Sequence, residues 1–170
     1  MPRHTDMPPA WDERSTLTTF LDYARGSAIA KCADLAPEHV GAALLPSSPL
    51  TTMGGLISHL RWVEKSWFEE IFLGHGDDIE WPWTDEDPDR EMRLGARTPM
   101  AQLVAEYETQ SEQYRKLVAE TDLDARSAKP FRNGEHPTMR WILMHLVEEI
   151  SRHNGHLDAL RELADGQTGR

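Results

Sequence analysis

The chain of 170 residues is the size of one domain, 1–170, long enough to bury about two-thirds of its unfolded surface in a single core. Acidic residues outnumber basic ones 29 to 18, for a formal charge of −11, and no Lys/Arg cluster is dense enough to hold a phosphate backbone, which excludes nucleic acid and anionic membranes as partners. No stretch approaches the ~20 apolar residues of a membrane span and the first residues lack the apolar core of a signal peptide, so the expected location is cytoplasmic.

Four segments carry helical periodicity, and the expected fold class is all-α. The first spans about residues 12–34, with Asp12 as N-cap and Leu17, Phe20, Leu21, Ala24, Ala28 and Leu35 on one face. Its Cys32, the only cysteine, has no partner for a disulfide or a zinc knuckle and reads as a small buried residue. The second begins after Pro46 and Pro49 and runs to Leu73, where Gly74 supplies a stop; Met53, Leu56, Leu60, Val63, Trp67 and Ile71 form its stripe. Residues 74–97 form a long acidic linker carrying Trp81 and Trp83 around Pro82, read as an ordered surface loop or lid. Thr98 and Pro99, as N-cap and first helical residue, open the third helix, with Met100, Leu103, Tyr107, Tyr114 and Val118 at helical spacing up to about Thr121. After a polar linker, Pro137 and Thr138 open the fourth, which continues to about Ala164 before Asp165 and Gly166; the tail beyond is expected to fray. Four amphipathic helices bury their stripes most simply as a four-helix bundle with a long loop between helices 2 and 3.

Polar residues intrude on these stripes. On a wheel of ~100° per residue zeroed on Glu149, the apolar residues Ile142, Leu143, Leu146, Ile150, Leu157 and Leu160 fall between about 20° and 120°. His153 falls at about 40°, inside that stripe, with His156 and His145 just outside it and Glu148 turned away at about −100°. His59 borders the buried face of the second helix. A buried carboxylate beside a buried imidazole costs several kcal/mol unless something satisfies both, and a divalent metal does so. Glu149 and His153, one turn apart, can reach one ion, and His59 on a facing helix is the natural third ligand. Two histidines and a carboxylate leave positions open for water or substrate. The plainer alternatives are a hydrogen-bonded core histidine and a solvated Glu–His surface pair. His4, His39, His75 and His136 fall in linkers or ends and carry no argument. Asp158 and Arg161 read as helix-surface ion pairs.

The strings LISHLRWVEKSWFEE and LMHLVEEISRHNGHLDALRELADG together resemble the DinB-like superfamily of metal-binding four-helix proteins. They look most like its actinobacterial branch of thiol S-transferases. The resemblance runs from LTTFLDYAR in the first helix to the final Asp165 and Gly166. It implies a metal held by His59, Glu149 and His153. Many relatives carry histidine at the position of Glu149, whereas the mycothiol-dependent maleylpyruvate isomerases carry glutamate there, as this chain does.

The resulting expectation is a metal-dependent S-transferase in which a divalent ion, zinc first and nickel or manganese next, activates an external thiol, mycothiol, for attack on a small electrophile. His156 and His145 are the candidate catalytic residues beside the ion. Trp62, Trp141 and Arg152 are the candidates for holding the thiol, although tryptophans also serve as core anchors. The alternatives are a thiol-dependent isomerase, a metal-assisted hydrolase, and a non-catalytic metal-binding stress-response bundle; a homodimer is compatible with each.

Overall fold

The structure, a computed structural model, describes residues 5–168. His4 and the last two tail residues lie outside the described residues. Among the described residues there are five α-helices and no β-strand. They are α1 (Glu13–Lys31), α2 (Met53–Lys65), α3 (Arg90–Gly95), α4 (Met100–Glu120) and α5 (Met139–Asp165). The four expected helices correspond to α1, α2, α4 and α5, and α3 is an addition inside the long linker. No helix among the described residues is long and apolar enough to cross a membrane.

Local chemistry sets the helix ends. Asp12, Thr52 and Thr138 cap α1, α2 and α5 by accepting the backbone N–H groups of Ser15, Gly55 and Trp141. Gly166, at φ 80°, ends α5 in the left-handed conformation that glycine adopts without strain. α4 starts at Met100, one residue later than expected, because the Thr98 hydroxyl donates to Leu94 O, leaving Pro99 in the cap position without a side-chain bond. Two arginines close the C-termini of neighbouring helices, where unpaired carbonyls gather. Arg14 of α1 donates to Val118 O and Thr121 O at the end of α4, both at 2.7 Å. Arg161 of α5 donates to Lys31 O and Ala33 O at the end of α1; it is buried, not the surface residue expected, while Asp158 pairs with Lys31.

α1 packs along α5, and α2 packs against α3, α4 and α5. The inner stripes of α4 and α5 are as expected: Met100, Leu103, Tyr107, Tyr114 and Val118, and all six apolar residues of α5, are buried. On α1, Leu21, Ala24 and Ala28 are buried, but Phe20 is turned outward. Beyond Lys65 the chain continues as a π-helical segment, Ser66–Phe72, in which Leu73 N–H reaches back five residues to Phe68 O. The wider turn changes the register, so Phe68 and Phe72 are buried while Ile71 is only partly so. Deep in the core, Glu64 of α2 accepts two bonds from Arg25 of α1 and one from Tyr107 of α4. This fully paired ionic knot fixes three helices against each other.

The linker is not a loose lid. Its α3 lies so close to α2 that a Cβ on Gly95 would stand 2.4 Å from Gly54 O. Trp81 and Trp83 stack at 4.8 Å and both pack against Trp62 of α2, and Trp81 Nε1–H donates to Gly76 O.

Candidate metal centre

The antiparallel run of α2 past α5 brings His59 opposite Glu149 and His153. His59 Nε2 lies 3.7 Å and His153 Nε2 3.0 Å from the same oxygen, Glu149 Oε1. One ligand atom from each of the three lies within 4.8 Å of the others. A tetrahedral ion with bonds of ~2.1 Å sets its ligand atoms about 3.4 Å apart; the two contacts to Glu149 Oε1 bracket that spacing, and the wider separation has to close for all three to share one ion. Both imidazoles present Nε2 to the shared oxygen and turn Nδ1 outward, His59 to Glu91 Oε1 at 3.3 Å and His153 to His156 Nδ1 at 3.3 Å. The rings meet edge to face, centroids 5.0 Å apart. Glu149 is buried, and the imidazoles are partly so.

Residues 16–166 match the family described as Mycothiol-S-transferase. The chain belongs to that family. No curated protein matches the chain significantly.

In this family member the neighbouring charges shift the protonation of His59 and Glu149. Burial pushes the His59 imidazole down, but the carboxylates of Glu149 and Glu91 beside it outweigh burial and raise the pKa from 6.5 to about 9. The hydrogen bond from His153, and then the nearby His59 imidazole, hold the Glu149 carboxyl well below its ordinary value, against the opposing effect of burial. The second Glu149 oxygen, Oε2, is taken by the Arg152 guanidinium. Arg152 therefore clamps the carboxylate and leaves Oε1 as the oxygen that faces the two imidazoles. Glu148 is exposed and faces His145 and Arg152 instead, in accord with its place on the wheel.

Trp141, His145, Glu149 and His153 are spaced by four along α5 and so rise in one row. The His145 ring is stacked on Trp141 at 5.1 Å with 16° between planes, and Trp67 stands edge-on to it at 4.8 Å. Phe131 closes the far side of Trp67 at 4.9 Å. The π-helical turn that carries Trp67 is tied to this loop by Ala128 N–H to Phe72 O and Lys129 N–H to Ile71 O. The row thus begins as an aromatic wall and ends as the His/Glu cluster. Trp62, three residues past His59, sits in a separate aromatic group with Trp81 and Trp83, under the cations of Arg61 and Lys65. A shallow groove lined by Arg61, Lys65, Glu106 and Gln110 lies between α2 and α4 and shares no residue with the cluster.

Neither His145 nor His156 joins the three-residue ligand group among the described residues. Of the histidines set aside, His39, His75 and His136 lie off the cluster, His136 bonding to Ser127 O and His75 facing Glu69. Cys32 is buried in α1, with its thiol on Ala28 O and its pKa pushed up to about 12 by burial. Glu91 is the residue that sequence reasoning missed. It lies in a six-residue helix within an acidic linker, where no periodicity separates it from its solvated neighbours.

Proposed function

We propose that the protein is a metal-dependent S-transferase that joins mycothiol to a small electrophile, built on a DinB-like four-helix bundle with α3 as an insertion. The observation that carries this reading is the convergence of His59 Nε2, His153 Nε2 and Glu149 Oε1 in a chain of the Mycothiol-S-transferase family. The donor set suits a divalent ion, zinc foremost and nickel or manganese next: two borderline nitrogens, one hard oxygen, and no fourth acidic, histidine or cysteine ligand among the described residues. Bound there, such an ion lowers the pKa of a thiol ligand so that thiolate forms at neutral pH.

The chain's own residues supply the rest. Arg152 pairs with Glu149 Oε2, so Oε1 would be the oxygen that holds an ion. His156 lies against His153 and His145 against the aromatic wall, and these two imidazoles are the candidates to take up the proton that the thiol loses. Trp141, 46% exposed, offers a flat apolar face to a planar electrophile or to the thiol cosubstrate. In the reaction the sulfur forms a bond to the electrophilic carbon, the leaving group departs with its bonding pair, and the thiol proton is released. The nucleophile comes from outside, because the buried Cys32 thiol stays protonated at neutral pH.

The test is turnover of one reactive aromatic electrophile by metal-stripped and metal-loaded protein with mycothiol, cysteine or no thiol. The expected result is product that carries the thiol, formed only when both metal and thiol are present, and unchanged in Cys32→Ala. Metal-dependent turnover without thiol would make the enzyme a hydrolase, and loss of turnover in a folded, metal-loaded Cys32→Ala protein would make this cysteine the nucleophile.

A further inference from the structure

Glu91 has no role in the ligand set, yet it is 6% exposed and among the described residues its one hydrogen-bonding partner is the His59 ring. Its second oxygen, Oε2, is buried with no partner. A buried carboxylate without a lysine or arginine beside it costs several kcal/mol, so its placement calls for a compensating charge nearby. The backbone delivers it with little slack: Gly95, one turn further along α3, lies against Gly54 of α2, itself just over one turn before His59.

We propose that Glu91 is a positioning residue of the metal site, accepting the Nδ1–H of His59 and so fixing the tautomer and ring plane that leave Nε2 free to hold a divalent ion. The inference rests on the metal reading given above. An imidazole that donates electrons to an ion through Nε2 must carry its proton on Nδ1, and a carboxylate acceptor there both orients the ring and strengthens its basicity. Glu91 Oε1 is 3.3 Å from Nδ1 while Nε2, on the other side of the ring, faces Glu149. The second carboxylate also offsets part of a dication's charge without filling a coordination position, which keeps that position open for the thiol. His153 has an imidazole, His156, in the corresponding place. The two rings are therefore supported unequally, His59 by a carboxylate and His153 by an imidazole.

The test compares wild type, Glu91→Gln and Glu91→Ala, each stripped of metal and then titrated with Zn²⁺ and with Co²⁺. The readouts are metal affinity, the intensity of the Co²⁺ absorption bands at saturation, and the His59 Nδ1–H signal in nitrogen-resolved NMR. Glu91→Ala is expected to lose about 10- to 100-fold in affinity and the protected Nδ1–H signal, with the Co²⁺ band intensity unchanged because no ligand is lost. Glu91→Gln keeps the volume and an acceptor oxygen, so it is expected to fold, keep the signal, and lose affinity by a smaller factor. Wild-type affinity in both variants overturns the proposal. So does a Co²⁺ spectrum showing one ligand fewer, since Glu91 would then coordinate the ion itself. If wild type takes up no ion, the metal reading fails on its own; protection of the His59 Nδ1–H in metal-free wild type and its loss in Glu91→Ala still tests the contact, and equal protection in both overturns it.

Discussion

Gly95→Ala separates the geometry of the linker from the chemistry of the site. A methyl group on Gly95 would meet Gly54 O at 2.4 Å, Ser58 Cβ at 2.6 Å and the Gly54 carbonyl carbon at 3.0 Å. Carbon and carbonyl oxygen approach to about 3.3 Å at closest, so α3 must move off α2 by about 1 Å, and the backbone oxygen cannot rotate aside. Overpacking of this kind costs about 1–3 kcal/mol, which for a chain of this length lowers the unfolding temperature by about 2–12 °C. The same movement lengthens the 3.3 Å contact between Glu91 and His59 beyond hydrogen-bonding range, so metal affinity falls together with stability. Gly155→Ala is the control. It lies inside α5 with nothing within 4 Å of its added Cβ, and there alanine is favoured over glycine by about 0.5–1 kcal/mol. Thermal unfolding followed by circular dichroism on metal-free protein, where ligand linkage cannot intrude, reads both signs. A Gly95→Ala protein as stable as wild type, with wild-type metal affinity, would refute the close contact and with it the placement of Glu91.

Elemental analysis should find one divalent ion per wild-type chain and none in His153→Ala, with Glu149→Gln losing the ion and Glu148→Gln keeping it; the reverse order of the two glutamates would show the α5 register to be wrong. Glu64→Ala strips the anion from the buried Arg25–Glu64–Tyr107 knot and should cost about 3–5 kcal/mol in denaturant unfolding while leaving the metal affinity of whatever protein remains folded unchanged. In metal-free protein the raised pKa of His59 makes its stabilisation complete below about 6.5 and lost as pH rises through about 9. The lowered pKa of Glu149 makes its share present above the ordinary carboxyl range and lost as pH falls beneath it. Unfolding temperatures from pH 3 to 10 should therefore peak between the two limits, and a flat profile from pH 6.5 to 9.5 would remove the charged His59 from the account.

The sequence made the three clustered residues, His59, Glu149 and His153, legible because each signal was local or nearly so. Glu149 and His153 sit one turn apart in a 27-residue helix whose apolar stripe is unbroken, so a fixed angle per residue places them correctly. His59 needed only its position at the edge of a second stripe. The same rule failed where the geometry departed from it. After Ser66 the helix widens to π, and a wheel of constant step assigned Ile71 to a core that Phe68 and Phe72 fill. Phe20 lies on the apolar side of its wheel, yet the small Ala24 and Ala28 are the residues buried on that face. Glu64 and Glu91 were illegible for another reason: each is an acidic residue whose meaning comes from partners 39 and 32 positions away. Nothing within one turn of either distinguishes it from a solvated carboxylate.

The charge balance of the cluster sets what an ion would have to displace there. Without an ion, two carboxylates, Glu149 and Glu91, face two cations, Arg152 and a His59 held protonated at neutral pH. The proposed ion must displace the proton on His59, because Nε2 cannot carry a proton and donate to a metal together, so uptake is an exchange. Between pH 7 and 8 each ion bound should release about one proton from His59. Calorimetric titration in two buffers of different ionisation enthalpy measures that number directly. A value of zero would mean that His59 meets the ion already neutral, so the carboxylates beside it do not hold its proton and the exchange mechanism fails.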